Sequence, residues 1–318
     1  MKIIYNKIFL EHDTGMHPEN KKRLESLGSL PDTDIENGEQ YLRLFHTKEY
    51  INRVKESCAK GEHLDSDTTT SKRSYEAATY AVGATIMASQ SNDFAVVRPP
   101  GHHAHPDRSS GFCIFNNIAI AAQKLVDEGK RVFILDFDAH LGDGTVKFFY
   151  NTDKVLYWSL HQYPAFPGGG DYTEIGEGKG AGFTINVPLP IGSGDDIFMD
   201  AMERFMPVAE KFNPDVVAVS AGFDAHQYDL LLDLRLSMNT YYNIGKLLSR
   251  KFKNIFATLE GGYNVTILYK CLYNFLDGIC MRPAQFSEPA TDSTIQVHDE
   301  YEMRVLSLER KLREIWNI

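Results

Sequence analysis

Cysteine is scarce, tryptophan scarcer, and no stretch of the chain is uniformly apolar. Of 318 residues, 4 are cysteine (Cys58, Cys113, Cys271, Cys280) and 2 are tryptophan. Four cysteines in a chain this size, with no paired metal-type spacing, suggest reduced thiols rather than a disulfide framework. No apolar run approaches the roughly 20 residues needed to cross a bilayer, so membrane partners are not expected. Met1-Lys2-Ile3-Ile4-Tyr5 is far too short for a signal peptide, and a cytoplasmic location follows as the default. Basic residues are in the minority, 33 against 43 acidic ones, for a formal charge of -10. That balance argues against general nucleic-acid binding and suits cationic ligands. Internal repeats and low-complexity segments are also missing.

What remains is the composition of a soluble globular enzyme, 43% hydrophobic and 24% charged. The length suits one large α/β domain. We expect a catalytic domain over residues 1–282, followed by 283–318 as a Pro/Ser/Thr-containing linker and a charged amphipathic helix from 299 to 316. That helix is expected to pack on the domain or on a partner subunit, which leaves a homo-oligomer open.

Apolar or alternating runs at residues 3–5, 94–97, 132–135, 155–160, 183–187, 216–220 and 254–259 read as strands. Helical periods cover 20–30, 45–54, 75–88, 112–128, 146–150 and 196–212. Ala77, Ala78, Ala81, Gly83 and Ala84 allow close packing of the third of these, and Asn116 and Asn117 stand where side-chain caps are useful. Residues 65–74 read as a loop in which Asp65 and Asp67 are caps. Gly168-Gly169-Gly170 is a loop rather than a phosphate cradle, since no Lys-Ser/Thr follows. Strands alternating with helices imply a doubly wound α/β architecture, and several strands end in polar or glycine-containing turns along one rim.

That rim carries the chemistry. The strand at 132–135 runs into Asp136, Asp138, His140 and Asp143, and the one at 216–220 into Asp224. Asp138 and His140, two apart, face the same side of an extended segment and can share a metal with Asp224, leaving a position open for water. Spacing alone leaves the metal ambiguous among zinc, iron, manganese and cobalt. His102 and His103 follow the stiff Pro99-Pro100-Gly101 turn and suit acid/base work, with Asp136 and Asp143 as orienting carboxylates. Tyr263, after two glycines, could donate a hydrogen bond to a forming oxyanion. His12, His17 and His46 read as ordinary loop or surface residues, and Cys113 as a small buried side chain.

Taken together, Arg98-Pro99-Pro100-Gly101-His102-His103-Ala104, residues 111–117, 136–144, 221–226 and 259–264 resemble the zinc-dependent histone deacetylase and acetylpolyamine amidohydrolase family. His17-Pro18-Glu19-Asn20 with Arg23 is similar to the N-terminal signature of its class II, bacterial or archaeal branch. The resemblance implies the arginase/deacetylase fold, a mostly parallel sheet of about eight strands with helices on both faces. It implies one zinc ion on Asp138, His140 and Asp224, replaceable by Fe2+ or Co2+. His102 and His103 become the tandem acid/base pair backed by Asp136 and Asp143, and Tyr263 the carbonyl polariser. Gly111, Phe112, Phe166, Leu231 and Gly262 match the acyl-lysine channel. Potassium is implied at an inner site (Asp136, Asp138, His140, Ser159, Leu160) and an outer one (Phe149, Thr152, Val155). Leu141 departs from the family's histidine, and Leu230 and Leu232 from the Pro and Gly of its Asp-Pro-Leu-Gly turn.

The function implied is hydrolysis of an acetyl or other acyl group from a primary-amine nitrogen, in acetyl-lysine, an acetylated polyamine or another small amine. Leu231 offers no charge at the channel mouth, which tilts the expectation from a strict polyamine specialist toward acyl-lysine or a broad small-amine substrate. An arginase-type ureohydrolase would need a second metal and a further ligand histidine that Leu141 does not supply. A catalytically silent binding module would have no reason to keep Tyr263 and both histidines.

Overall fold

The computed structural model describes residues 1–317. Its centre is a seven-stranded sheet in the order β1-β2-β7-β6-β3-β4-β5, parallel throughout. The strands are β1 (Ile3–Ile4), β2 (Phe94–Ala95), β3 (Val132–Asp136), β4 (Val155–Gln162), β5 (Thr184–Leu189), β6 (Val216–Ala221) and β7 (Ile255–Leu259). They lie at the seven stretches read as strands, and no eighth is present among the described residues. Continuous apolar runs make buried parallel strands because helices cover both faces. Every residue of β3, β4 and β6 is buried.

From β3 the chain winds out through β4 to β5, then returns to β6 on the other side of β3 and winds outward again. The order therefore reverses between β3 and β6, and a crevice opens at the carboxyl ends of strands at such a point. Register places Asp136 of β3 beside Ser159 of β4 and Ser220 of β6.

The helices are α1 (Lys22–Glu25), α2 (Lys48–Lys60), α3 (Ser74–Ser91), α4 (Asn117–Asp127), α5 (Asp143–Phe149), α6 (Asp195–Phe212), α7 (Met238–Lys251), α8 (Val265–Ile279) and α9 (Ile295–Trp316). The period read over 20–30 condenses to the single turn of α1, with Gly28 beyond it at φ +83°. The helix expected from residue 112 begins at 117, because Phe112 sits at φ +69° and Asn116 caps the helix by accepting from Ala119 N. In α3 the small residues serve close approach: a Cβ at Gly83 would stand 2.0 Å from the Glu36 carbonyl oxygen. The sequence reading passed over α7 and α8. They pack on each other through Gly245 and Gly278, where a Cβ would lie 2.4 Å from Phe275 O and 2.1 Å from Tyr242 O.

Residues 283–294 form neither helix nor strand but are tied to the domain. Thr291 and Ser293 bond the Asp195 and Asp196 carboxylates at the start of α6, and Glu288 accepts from Met238 N at 2.7 Å. Helix α9 then buries Tyr301, Val305, Leu308 and Leu312, a stripe at helical spacing, against α6 and β5. Arg204 and Glu302 make a two-point ion pair at 3.0 and 2.7 Å, and Trp316 Nε1 donates to Gly182 O at 2.8 Å. No helix among the described residues is long and apolar enough to cross a membrane.

Leu308→Ala is expected to lower the unfolding free energy by about 2–5 kcal/mol in denaturant titration, the cost of emptying a packed position. Met303→Ala, on the exposed face of the same helix, should change it by no more than about 0.5 kcal/mol. Equal effects would mean that α9 does not pack as described.

Candidate metal and catalytic site

The carboxyl ends of β3 and β6 bring three buried groups able to ligate an ion to one point, and the end of β7 borders it. The ligating atoms of Asp138, His140 and Asp224 lie within 4.8 Å of one another. His140 Nδ1 stands 3.1 Å from Asp138 Oδ1 and 2.8 Å from Asp224 Oδ2. Backbone N–H groups orient the carboxylates: Ala139 N donates to Asp224 Oδ1 at 2.9 Å and Gly261 N to Asp138 Oδ2 at 2.8 Å. Glycine is needed where the backbone passes, since a Cβ at Gly222 would be 2.0 Å from Asp138 Oδ2 and one at Gly261 would be 2.7 Å from Asp224 Oδ2.

Burial, reinforced by the negative charge of Asp138, pushes the Asp224 pKa up to about 7. Burial also opposes ionisation of Asp138, yet the His102 and His140 charges outweigh it and hold that carboxyl well below its ordinary range. For His140, burial works against charging, but the bonds to Asp138 and Asp224 raise its pKa to about 10. Two buried carboxylates thus face one imidazole, which even when charged offsets only one of them. Two carboxylate oxygens and one imidazole nitrogen, converging beside a channel, fit a divalent cation that keeps an open position.

His102 and His103 lie against this cluster, their ring centroids 4.0 Å apart. His102 Nδ1 is 3.1 Å from Asp136 Oδ2, which also accepts from Tyr157 Oη at 3.0 Å. His103 Nδ1 is 2.8 Å from Asp143 Oδ1. The other oxygen of Asp143 pairs with His105 Nε2 at 2.6 Å, a partner the sequence reading missed. Burial, then the neighbouring His102 charge, lowers the His103 pKa to about 4, so this imidazole is neutral at pH 7. For His102, burial opposes charging but Asp138 and Asp136 prevail and hold its pKa well above the usual value. Glu260, which accepts from Gly101 N at 2.7 Å and His102 N at 3.1 Å, fixes the turn that carries both rings.

A cavity of ≈ 220 Å³ leads to the cluster, lined by Asp67, His103, Gly111, Phe112, His140, Phe166, Leu231, Leu232 and Tyr263. Gly111 has no room for a side chain: a Cβ would meet His103 Cδ2 at 2.4 Å. Gly262 lies behind the wall, its carbonyl accepting from Arg23 Nε at 2.6 Å. The buried Arg23 also donates to Glu260 O at 2.5 Å and lies 5.0 Å from the centroid of the Tyr263 ring. Glu19 joins it, accepting from Arg23 at 3.0 Å and from Arg98 at 2.5 and 2.8 Å.

Two histidines, His12 and His46, depart from the sequence expectation, while His17 stays a half-buried loop residue. His12 is buried and bonds Ser74 Oγ at 2.7 Å, and His46 is buried and accepts from Asn116 N at 2.9 Å. His17 packs edge-on against Phe112 with centroids 4.5 Å apart. Asp65 does cap its turn, accepting from Asp67 N and Thr68 N at 3.0 and 2.8 Å. Asp67, expected to be a second cap, instead lines the cavity. Burial and the adjacent Asp65 push its pKa up to about 6. Of the departures from the family pattern, Leu141 is buried, Leu230 exposed, and Leu232 on the cavity wall. Ser159 and Leu160 lie on β4 next to Asp136, while Phe149, Thr152 and Val155 follow one another along the connection from α5 into β4. Cys113 is fully buried.

Comparison with known proteins agrees over most of the length. The model of the histone deacetylase domain matches residues 17–279. A probable deacetylase of Archaeoglobus fulgidus is 37% identical over 291 residues, covering 83% of this chain and 81% of that protein. Histone deacetylase 8 of Arabidopsis thaliana is 33% identical over 330 residues, 93% of this chain and 86% of that one. A histone deacetylase-like amidohydrolase of Pseudomonas aeruginosa is 39% identical over 245 residues, 70% of this chain and 64% of that one. The crystal structure of the HDA15 HD domain superposes with a TM-score of 0.89 at 28% identity, over 99% of this chain and 96% of that one.

A cation held by Asp138, His140 and Asp224 should add folding stability. With ligand at a thousand times its Kd, the gain is about 4.1 kcal/mol. Chelation should therefore lower Tm, one equivalent of divalent metal should restore it, and Asp224→Ala should remove the response while remaining folded. A wild-type Tm indifferent to both chelator and metal would show that the cluster holds no ion.

Proposed function

Since this chain belongs to the histone deacetylase family, we propose that it is a zinc-dependent amidohydrolase that removes an acetyl group from acetyl-lysine or a small acetylated amine. The observation that supports this reading is the meeting, at the end of one ≈ 220 Å³ channel, of three groups able to hold an ion, the His103 imidazole and the Tyr263 phenol. The residues holding the ion are Asp138, His140 and Asp224. A zinc ion there supplies Lewis acidity toward the amide carbonyl and toward a water molecule, with Fe2+ or Co2+ as substitutes.

The remaining work falls to side chains. His103, neutral because of burial and the charge of His102, accepts the proton of the attacking water while Asp143 holds its Nδ1–H. Tyr263 Oη donates to the carbonyl oxygen as negative charge gathers on it. Burial keeps that phenol protonated by raising its pKa well above the ordinary value. His103 lines the cavity whereas His102 stands behind it, which favours His103 for returning the proton to the leaving amine as well. His102, paired with Asp136 at 3.1 Å, packs against His103 from behind. We assign potassium to the inner and outer positions on the resemblance alone. A ureohydrolase with two metals is disfavoured because the buried Leu141 provides no further imidazole.

For the substrate, Phe112 and Phe166 enclose an aliphatic chain, and Leu231 and Leu232 continue an apolar wall. Asp67, read from the sequence as a cap, supplies a carboxylate on the cavity wall, and a cationic or cation-flanked amine suits it. The reading remains acyl-lysine or a broad small-amine substrate over a strict polyamine specialist, since one carboxylate on a mainly apolar wall gives a polyamine little to hold.

Tyr263→Phe should bind metal normally yet lose about 2.7–4 kcal/mol of transition-state stabilisation, roughly two to three decades in kcat. An unchanged kcat would remove the phenol from the mechanism. In a comparison of acetyl-lysine peptides with acetylated polyamines, kcat/KM for cationic substrates should fall with salt, and Asp67→Asn should flatten that fall. A large preference for polyamines would overturn the substrate reading, and salt-independent rates would overturn the role of Asp67.

A further inference from the structure

Tyr263 stands on a strap with no regular structure. Residues 260–264 join β7 to α8 outside any helix or strand, and Gly262, immediately before the tyrosine, is at φ +114°. Two adjacent glycines leave the local backbone free to turn, so the direction of the phenol must be set from elsewhere. The N–H groups that lead into a helix also have no partner inside it.

One carboxylate meets both needs. Tyr263 N and Asn264 N donate to Asp229 Oδ2 at 2.8 and 3.0 Å, while Asp229 Oδ1 accepts from Leu230 N at 2.7 Å. Asp229 belongs to the loop that follows Asp224, and its own N–H donates to His226 O at 2.8 Å. The two segments are joined again by Asn264 Nδ2, which donates to Tyr228 O at 2.7 Å. Negative charge is favourable where Asp229 sits, at the N-terminal end of α8. The strap is thus gripped from two sides: Arg23 takes the carbonyls of residues 260 and 262, and Asp229 takes the amides of 263 and 264.

Resting on the reading of Tyr263 as oxyanion donor, we propose that Asp229 is a positioning residue, whose carboxylate fixes the Tyr263 backbone so that the phenol points into the channel. It touches no reacting atom and acts through the tyrosine. Removing it lets the strap swing about its glycines, and a donor misplaced by about 1 Å can cost on the order of a hundredfold in rate.

The test is a double-mutant cycle on the metal-loaded enzyme: wild type, Tyr263→Phe, Asp229→Ala and the double variant. kcat and KM are measured on an acetyl-lysine peptide, with metal content and Tm recorded for each protein. Asp229→Ala is expected to lower kcat about ten- to a hundredfold with KM and metal content nearly unchanged. The double variant should be no slower than Tyr263→Phe alone, because the two residues act as one unit. Asp229→Asn keeps an oxygen for the two amides and should recover most of kcat. If Asp229→Ala does not fold, the Asn variant carries the same cycle, and its smaller loss must vanish in the Tyr263→Phe background. An equal loss in both backgrounds, or no loss on removing Asp229, overturns the inference while leaving the function intact. Wild-type turnover by Tyr263→Phe would overturn the functional reading and this inference with it.

Discussion

Asp138 and Asp224 face each other almost wholly out of water, and that opposition sets the terms for everything around it. Two buried carboxylates repel and are poorly solvated, so the arrangement persists only with strong compensation. Part of it comes from N–H groups of Ala139, His140 and Gly261 aimed at the oxygens, and part from the His140 imidazole. His102, 3.8 Å from Asp138, adds a charge on the flank. A divalent ion held by these residues would remove the repulsion at its source, and the same ion would provide the chemistry we propose. On that proposal stability and catalysis rest on one electrostatic feature.

The fold meets this constraint by topology. Reversal of strand order between β3 and β6 opens a crevice where the two carboxylate-bearing ends lie side by side, and β7 delivers Gly261 and Glu260 to the same rim. None of the connecting segments is regular, so each is held by buried ionic or polar groups instead. Glu19 is the hub on one side: burial opposes its charge, but Arg98 and Arg23 hold its carboxyl well below the ordinary range. Through Arg23 that hub reaches the carbonyls of the Tyr263 strap, which links the N-terminal loop to the cavity wall.

The strands and the triad were legible in the sequence because each announced itself twice, as an apolar run and as the polar break that ends it. The stretch from Val132 to Asp138 is the clearest case. Helices α7 and α8 were not legible. Tyr241, Tyr242, Asn243, Ile244 and Gly245 in one, and the aromatic and β-branched residues of the other, have weak intrinsic helix propensity. Tertiary packing through Gly245 and Gly278 overrides that weakness, and packing of this kind leaves no local mark. The eighth strand came from family resemblance rather than from any run of residues, and it is not among the described elements. His12, His46 and Asp67 were misjudged for one shared reason: burial of a loop side chain depends on what folds over it. Their partners Ser74, Asn116 and the channel wall lie far away in sequence or belong to another loop.

The central claim is that one divalent ion, held by Asp138, His140 and Asp224, makes this chain an amide hydrolase. Metal-free protein titrated with zinc, with bound metal and acetate release followed in the same sample, tests it most directly. Activity should rise in proportion to metal and level off at one equivalent per chain. A plateau at two equivalents, or full turnover before any metal is added, would contradict it.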